Sequence, residues 1–320
     1  MYSFGRTSDA MEVAALQTEV EALFREHGME SRKRRNELAA VIAKAAMQPF
    51  NVDQHHPQYP VVLQFVTKMM RSEGIFELPV LKPAHTQNIS ALWRHRDVLN
   101  RQYALFQDFD QTCETLRLMT CAIFQELWKA CPLLLTPTDR DGIAVSSHAL
   151  HLILDVGTVV HRIAETPSAQ ELIELGLTER LQRTLEQRLI AASGGNPTDP
   201  KGFTKTPKFA NKSDIKNPRD LAQTYLGGTP LWDILDQKVD VNIPMNARFE
   251  HHHILAGTGH GKTQTLQFLI NNDLDAVAAG KRSVVVLDSQ GDLIRNISQL
   301  AAFAPGGPLH DRVVIIDPTD

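Results

Sequence analysis

The stretch ILAGTGHGKTQTLQ, residues 254–267, decides the fold class that the sequence predicts. It begins with apolar residues typical of a strand, continues into a loop with a glycine at every second position, and ends in the pattern of an amphipathic helix. Glycines let the backbone approach an anion closely, and the N-terminus of a helix favours negative charge. The stretch therefore predicts a phosphate-binding loop between a strand and a helix.

The residue types of this loop fit a nucleoside triphosphate, so ATP and Mg²⁺ are the predicted cofactors. Lys262 is expected to neutralise the β- and γ-phosphates, and the Thr263 hydroxyl is expected to hold Mg²⁺. Ala256 stands where the usual pattern has its first glycine, which is a small change. The predicted cofactor-binding residues are Gly257, Thr258, Gly259, His260, Gly261, Lys262, Thr263 and Gln264.

A second apolar segment, VVVLDSQGDL at residues 284–293, ends its predicted strand at Asp288. A carboxylate at this place is expected to lie near the metal, directly or through water. The predicted metal ligands are therefore Thr263 and Asp288, and the predicted catalytic residues are Lys262 and Asp288.

The C-terminal segment alternates between predicted strands and helices. Strands are predicted at 252–256, 283–287 and 312–316, and helices at about 262–279 and 291–303. This order favours a parallel sheet covered by helices. A short helix from Pro230 to Leu235 and a half-buried strand at 239–243 precede it.

The first 192 residues predict an all-α region, because apolar residues recur there at three- and four-residue steps. The predicted helices lie at about residues 9–27, 31–47, 61–73, 87–130, 146–163 and 167–192, and the fourth is long enough to be two. The apolar faces of such helices must pack on one another or on a partner.

Residues 193–220 have a different composition, with three Gly, four Pro, and five Lys and one Arg against three Asp. Such a stretch cannot bury enough apolar surface to fold alone, so it predicts a flexible basic linker. The predicted domains are a helical region at 1–192, this linker, and a third region at 221–320 that contains the predicted phosphate-binding loop.

Three segments resemble the HerA/FtsK superfamily of DNA-pumping ATPases, in particular type IV secretion coupling proteins and HerA-like helicases. They are RFEHHHILAGTGHGKTQTLQ (248–267), VVVLDSQGDL (284–293) and DRVVIIDPTD (311–320), and together they cover about the last quarter of the chain. The resemblance implies an α/β P-loop NTPase of RecA-like fold with an incomplete parallel sheet, in which residues 221–320 are the N-terminal part of the P-loop ATPase domain.

The resemblance also bears on Asp288. VVVLDSQGDL is similar to an early motif of the family, with Ser289 and Gln290 in place of a proline and a basic residue. In the family the Asp-Glu pair of Walker B comes much later. The resemblance therefore implies that the catalytic glutamate, the sensor residue and any arginine finger lie beyond Asp320, that this is a partial chain, and that ATPase activity belongs to the intact protein.

The function that the resemblance implies is that of an ATP-binding subunit of a cytoplasmic DNA-translocating motor, acting on DNA as a ring, a hexamer in the family. Two alternatives remain open from the residues. One is a small P-loop kinase or NTPase that uses Asp288 as its Walker B acid. The other is a non-enzymatic helical interaction protein whose assembly is regulated by nucleotide.

Other features have simpler interpretations. The chain carries 33 Lys and Arg against 37 Asp and Glu, so its net charge of −4 excludes a globally basic nucleic-acid binder. The run at 32–35, RKRR, is expected to be mostly solvated surface, with nucleic-acid contact as the lesser alternative. Three cysteines without a CxxC pair indicate reduced thiols, and the three histidines at 251–253 indicate a structural role more than a metal site.

No secretory signal or membrane span is expected. The N-terminal sequence lacks a basic segment followed by an apolar one, and the longest apolar stretch, 150–160, is interrupted by His151 and Asp155.

Overall fold

A computed structural model describes residues 3–80, 88–136, 142–251, 253–257, 259–289 and 291–316. It is 64% helical, and its two strands form an antiparallel sheet. The elements in chain order are α1 Ser3–Glu26, α2 Arg32–Met47, α3 Tyr59–Glu73, α4 Ile89–Gln107, α5 Phe109–Ala130, β1 Ile143–His148, α6 Ala149–Leu152, α7 Val156–Glu165, α8 Gln170–Glu174, α9 Glu179–Ala192, α10 Pro218–Leu226, α11 Pro230–Leu235, β2 Lys238–Ile243, α12 Lys262–Ala278 and α13 Asp292–Ser298.

The chain divides into two compact units. The helical unit comprises Met1–Pro137 and Ser146–Asp240, and the C-terminal unit comprises Thr138–Val145 and Val241–Asp320. In the second half of the chain, the boundary between the two units thus lies after Asp240. The composition of the sequence instead predicts a linker at 193–220.

Several helices begin and end at the residues that the sequence indicates. The Ser31 hydroxyl accepts a hydrogen bond from the Arg34 N–H at 3.2 Å and caps α2. Gly74 ends α3 in the left-handed conformation, with φ of 64° and its N–H donating to Met70 and Arg71. Asn88 caps α4, which ends at Gln107, so the stretch predicted at 87–130 is two helices.

The core of the helical unit lies where α1 packs on α4 and where α2 packs on α3 and α5. Three phenylalanines from different segments meet there. The ring centroid of Phe106 lies 4.6 Å from that of Phe24 and 4.9 Å from that of Phe76. Such aromatic pairs add attraction to the burial of their apolar area.

Residues 193–220 belong by their contacts to the helical unit. Ala210 is buried, the Tyr225 hydroxyl donates to the Lys208 carbonyl at 2.6 Å, and the Lys208 N–H donates to the Ser193 hydroxyl at 2.8 Å. On α7, a Cβ at Gly157 would lie 3.0 Å from the Ala210 carbonyl oxygen. The absence of a side chain at Gly157 therefore lets this segment approach α7 closely.

Residues 146–163 differ from the single helix predicted for them. They form the end of β1 and then α6 and α7, because β1 pairs with β2. The Ser146 hydroxyl donates to the Asp240 carboxylate, and the Asp155 carboxylate caps α7 by accepting from the Thr158 N–H at 3.0 Å.

The predicted α/β P-loop fold with a RecA-like parallel sheet is wrong for the residues that the structure covers. Within them, the segments predicted as strands at 252–256, 283–287 and 312–316 form no ladder, and the pair β1–β2 is antiparallel. Apolar side chains of these segments are exposed instead: Leu255 is 91% exposed, Val285 is 83% exposed and Leu287 is 94% exposed. Apolar patterning within one segment does not suffice to predict a strand, because a strand also needs a partner strand that satisfies its backbone hydrogen-bonding groups.

The C-terminal unit is built on α12, which packs on α13. Leu274, Ile297 and Leu309 are buried in it. The Asp273 carboxylate, also buried, accepts from the Arg282 guanidinium at 3.1 Å, which ties α12 to the residues that follow it. In the described parts of both units, no helix has the length and apolar character needed to cross a membrane.

Candidate functional site

The candidate site is the junction between the glycine-containing loop and α12. Gly261 is the N-cap of α12 with φ of 75°, and Gly259 has φ of 79°. An L-residue is strained in this left-handed region, although a Cβ at either position would meet no atom within 4 Å. Backbone conformation, and not lack of space, therefore requires glycine here.

The loop folds back on itself just before the helix. The His260 N–H donates to the Gly257 carbonyl at 3.2 Å, and the Thr265 N–H donates to the Gly261 carbonyl at 2.9 Å as the helix begins. A Cβ built on Gly257 would lie 3.0 Å from His260 Nδ1. Gly257 thus makes room for the imidazole ring, a contact that the sequence pattern does not predict.

The first turn of α12 carries positive potential. The helix is 17 residues long and has no acidic residue in its first turn. The first N–H groups of a helix have no partner within the helix, and their dipoles favour an anion. Lys262 and Gln264 are exposed and Thr263 is half-buried, so an ammonium, an amide and a hydroxyl stand at this end. The arrangement can bind an oxyanion such as a phosphate group.

The structure brings most of the predicted binding residues together in this loop and first turn: Gly257, Gly259, His260, Gly261, Lys262, Thr263 and Gln264. Thr258 lies outside the described residues.

Asp288 lies at the start of another helix. Its Oδ2 accepts from the Leu293 N–H at 2.8 Å and from the Ile294 N–H at 3.3 Å, and Gly291 is the N-cap of α13 with φ of 75°. The half-buried carboxylate therefore stabilises the N-terminus of α13. The sequence signal for this role was an acidic residue just before a predicted helix.

Metal binding depends on which donor atoms lie close together. Among the residues with described placement, no group of three or more His, Cys, Asp or Glu side chains could hold a metal ion. His251 and His253 are exposed, and His252 lies outside the described residues. A Mg²⁺ ion bound through the phosphates of a nucleotide needs only one or two protein oxygens, so it does not require such a group of side chains.

Comparisons with protein-family models, curated proteins and solved structures give no match to this chain.

Proposed function

We propose that this chain is the ATP-binding subunit of a DNA-translocating motor, and that the loop at 257–263 with the first turn of α12 binds the phosphates of ATP. The observation that carries the proposal is the left-handed Gly261 placed directly before Lys262 at the start of a 17-residue helix. This combination supports anion binding by backbone N–H groups and an ammonium together.

Each residue has a stated role in the proposal. Gly259 and Gly261 adopt the positive φ values that the turn of the loop needs. Lys262 neutralises the β- and γ-phosphates, and Thr263 contributes its hydroxyl to Mg²⁺. Asp288 is proposed to contribute to the water shell of Mg²⁺, and this role competes with its hydrogen bonds to the start of α13. Bound Mg²⁺ would supply charge neutralisation between the phosphates.

The support for the proposal comes from the loop and α12 alone, because no parallel sheet accompanies them in the described part of the chain. The motor activity, the DNA partner, the ring assembly, an arginine from a neighbouring subunit and the cytoplasmic location rest on the resemblance of three sequence segments.

The test is Mg·ATP binding by the full chain, measured by isothermal titration calorimetry. Replacing Lys262 with Ala removes a charge-assisted contact of about 1.5–3 kcal/mol, so we expect roughly 10- to 100-fold weaker affinity. Lys281→Ala is the matched control, because Lys281 is also an exposed lysine of the C-terminal unit and lies just after the other end of α12. Full affinity in Lys262→Ala would contradict the proposal.

A second function, nucleotide binding without turnover in a helical interaction protein, is favoured by one observation. The helical unit is the larger of the two units and no parallel sheet is described. ATP turnover with and without DNA separates the two functions. Turnover stimulated by DNA supports the motor, whereas binding without turnover in either condition supports the interaction protein.

A further inference from the structure

We propose that a cavity between α2 and α3, lined by three arginines, binds a phosphate group. This site lies in the helical unit, and the inference does not depend on the loop before α12. The cavity has a volume of about 270 Å³. Arg32 and Arg35 reach it from the first turn of α2, and Arg71 reaches it from the last turn of α3.

The lining combines charge with an apolar base. Met70 and Ile75 are 4% and 1% exposed, so they form buried apolar wall, while Arg32 and Arg71 are exposed at the rim. Asn36 and Thr67 add an amide and a hydroxyl to the lining. The site therefore presents several hydrogen-bond donors above apolar surface.

Among the described residues, no carboxylate forms an ion pair with any of the three guanidinium groups. Over the described part of the chain, no carboxylate lies within 4.0 Å of the Arg32, Arg35 or Arg71 side chains, whereas their neighbour Arg34 pairs with Glu37 at 3.0 Å. Of the described residues that line the cavity, Glu77 is the one with a carboxylate. Three positive charges against one negative charge leave an excess that attracts anions.

Two of the three arginines are placed unfavourably unless an anion is bound. Arg32 and Arg35 lie in the first turn of α2, where the helix dipole disfavours cations, and this turn has no acidic residue. The Arg35 side chain is held there by donating to the Met29 carbonyl at 2.7 Å. An anion in the cavity would interact favourably with both the dipole and the guanidinium groups.

A phosphate group fits this donor set better than a carboxylate does. Its several oxygens can accept from three guanidinium groups at once, and the planar fork of arginine matches phosphate oxygens with two parallel hydrogen bonds. The sequence run RKRR suggested mainly solvated surface, and it gave no reason to expect Arg71, which comes from another helix and completes the site.

The test uses the full chain carrying Lys262→Ala, so that phosphate bound at the loop before α12 does not contribute. Binding of pyrophosphate is measured by thermal shift, and binding of a fluorescein-labelled single-stranded DNA is measured by anisotropy at low salt. Arg32→Glu and Arg71→Glu are each expected to weaken binding about tenfold or more. Neither side chain makes a hydrogen bond or ion pair to another described residue, so the folded structure should tolerate both changes; circular dichroism checks this.

Two further variants control for the change in charge. Lys44→Glu makes the same charge change at an exposed position of α2 that does not line the cavity, and it should leave affinity within about twofold. Glu77→Gln removes the opposing charge and should strengthen binding. Loss of pyrophosphate binding alone assigns the site to a free phosphate ligand, and loss of DNA binding with a reduced salt dependence assigns it to a phosphodiester. Equal effects of Lys44→Glu and Arg71→Glu, or no binding of either probe, would overturn the proposal.

Discussion

The Glu73 carboxylate, at the end of α3, accepts a hydrogen bond from the Leu181 N–H at 2.7 Å, across 108 residues of sequence. Its other oxygen accepts from the Arg180 N–H at 3.0 Å, so one side chain satisfies two N–H groups in the first turn of α9. Glu73 is 1% exposed. A buried carboxylate thus caps a distant helix, and the interaction fixes the end of α3 against the start of α9.

Removing this carboxylate should destabilise the helical unit. In Glu73→Ala the two N–H groups of α9 lose their acceptor in a buried place, and we expect the free energy of unfolding to fall by about 2 kcal/mol. Urea unfolding followed by circular dichroism measures the change. Glu186→Ala, an exposed glutamate on the same helix, is the control and should change stability by less than about 0.5 kcal/mol. Equal effects of the two variants would show that the cap contributes little.

Ionisation of Glu73 should make stability depend on pH. Burial raises the pKa of Glu73 above the ordinary value of a glutamate, although the N–H groups of Arg180 and Leu181 and the charges of Arg101 and Arg180 act in the opposite direction. The folded state therefore keeps this proton to higher pH than the unfolded state does. The stabilisation by protonation is present below the ordinary pKa and is lost as pH rises through the raised pKa.

The comparison that isolates this effect is Glu73→Gln against the wild-type chain, unfolded in urea at a series of pH values. The difference in free energy of unfolding, variant minus wild type, should increase as pH rises through the raised pKa and level off above it. A difference that stays constant with pH would refute the assignment of this proton to Glu73.

The thiols should be slow to react in the folded protein. Cys113, Cys121 and Cys131 are free, and burial raises the pKa of Cys113 to about 12, with the Asp110 charge adding to the effect. Burial also raises the pKa of Cys121 and Cys131. Because the thiolate is the reactive form, iodoacetamide at pH 8 should label Cys113 many-fold more slowly than it labels the same residue in urea. Mass spectrometry of the labelled peptides measures both rates, and fast labelling of native Cys113 would contradict the burial.

The exposed apolar residues of the C-terminal unit should promote self-association. Val285 and Leu287 are more than four-fifths exposed, and Ile316 is equally so. Large exposed apolar patches favour association in water. The double variant Val285→Lys, Leu287→Lys should therefore reduce the concentration-dependent rise in weight-average sedimentation coefficient measured by sedimentation velocity. Val41→Lys, at an exposed position of α2, should leave it unchanged, and a wild-type chain with no such rise would argue against this prediction.

The sequence was sufficient to predict features that depend on residues close together in the chain. Ser31, Gly74 and Gly261 each end or begin a helix through their own backbone conformation or side chain, so the starts of α2 and α12 and the end of α3 were predictable. The positive φ values of Gly259 and Gly261 in the loop before α12 are also local, because these glycines act within a few residues of one another.

The sequence did not predict features that depend on contacts between residues far apart in the chain. An apolar run such as 283–287 suits a strand, but only a partner can make it one, and no ladder forms there in the described structure. In the same way, β1 was missed because its pairing with β2 is set by residues about a hundred positions away. The capping of α9 by Glu73 and the meeting of Arg71 with α2 also depend on packing between helices, which the pattern of one segment does not contain.

The conformation of Gly261 provides a test of the loop that is independent of any side chain. Gly261→Ala places a Cβ at φ of 75°, which strains the backbone by roughly 1–2 kcal/mol and should displace the N–H groups that precede Lys262. Gly280→Ala is a matched control, because Gly280 follows α12, has φ of 70°, and is also open to solvent around its Cβ position. Both variants should lose similar stability in urea unfolding, but only Gly261→Ala should weaken Mg·ATP binding, by about tenfold or more. If the two variants bind Mg·ATP equally well, the left-handed glycine before α12 serves only to end a turn, and nucleotide binding at this loop is refuted.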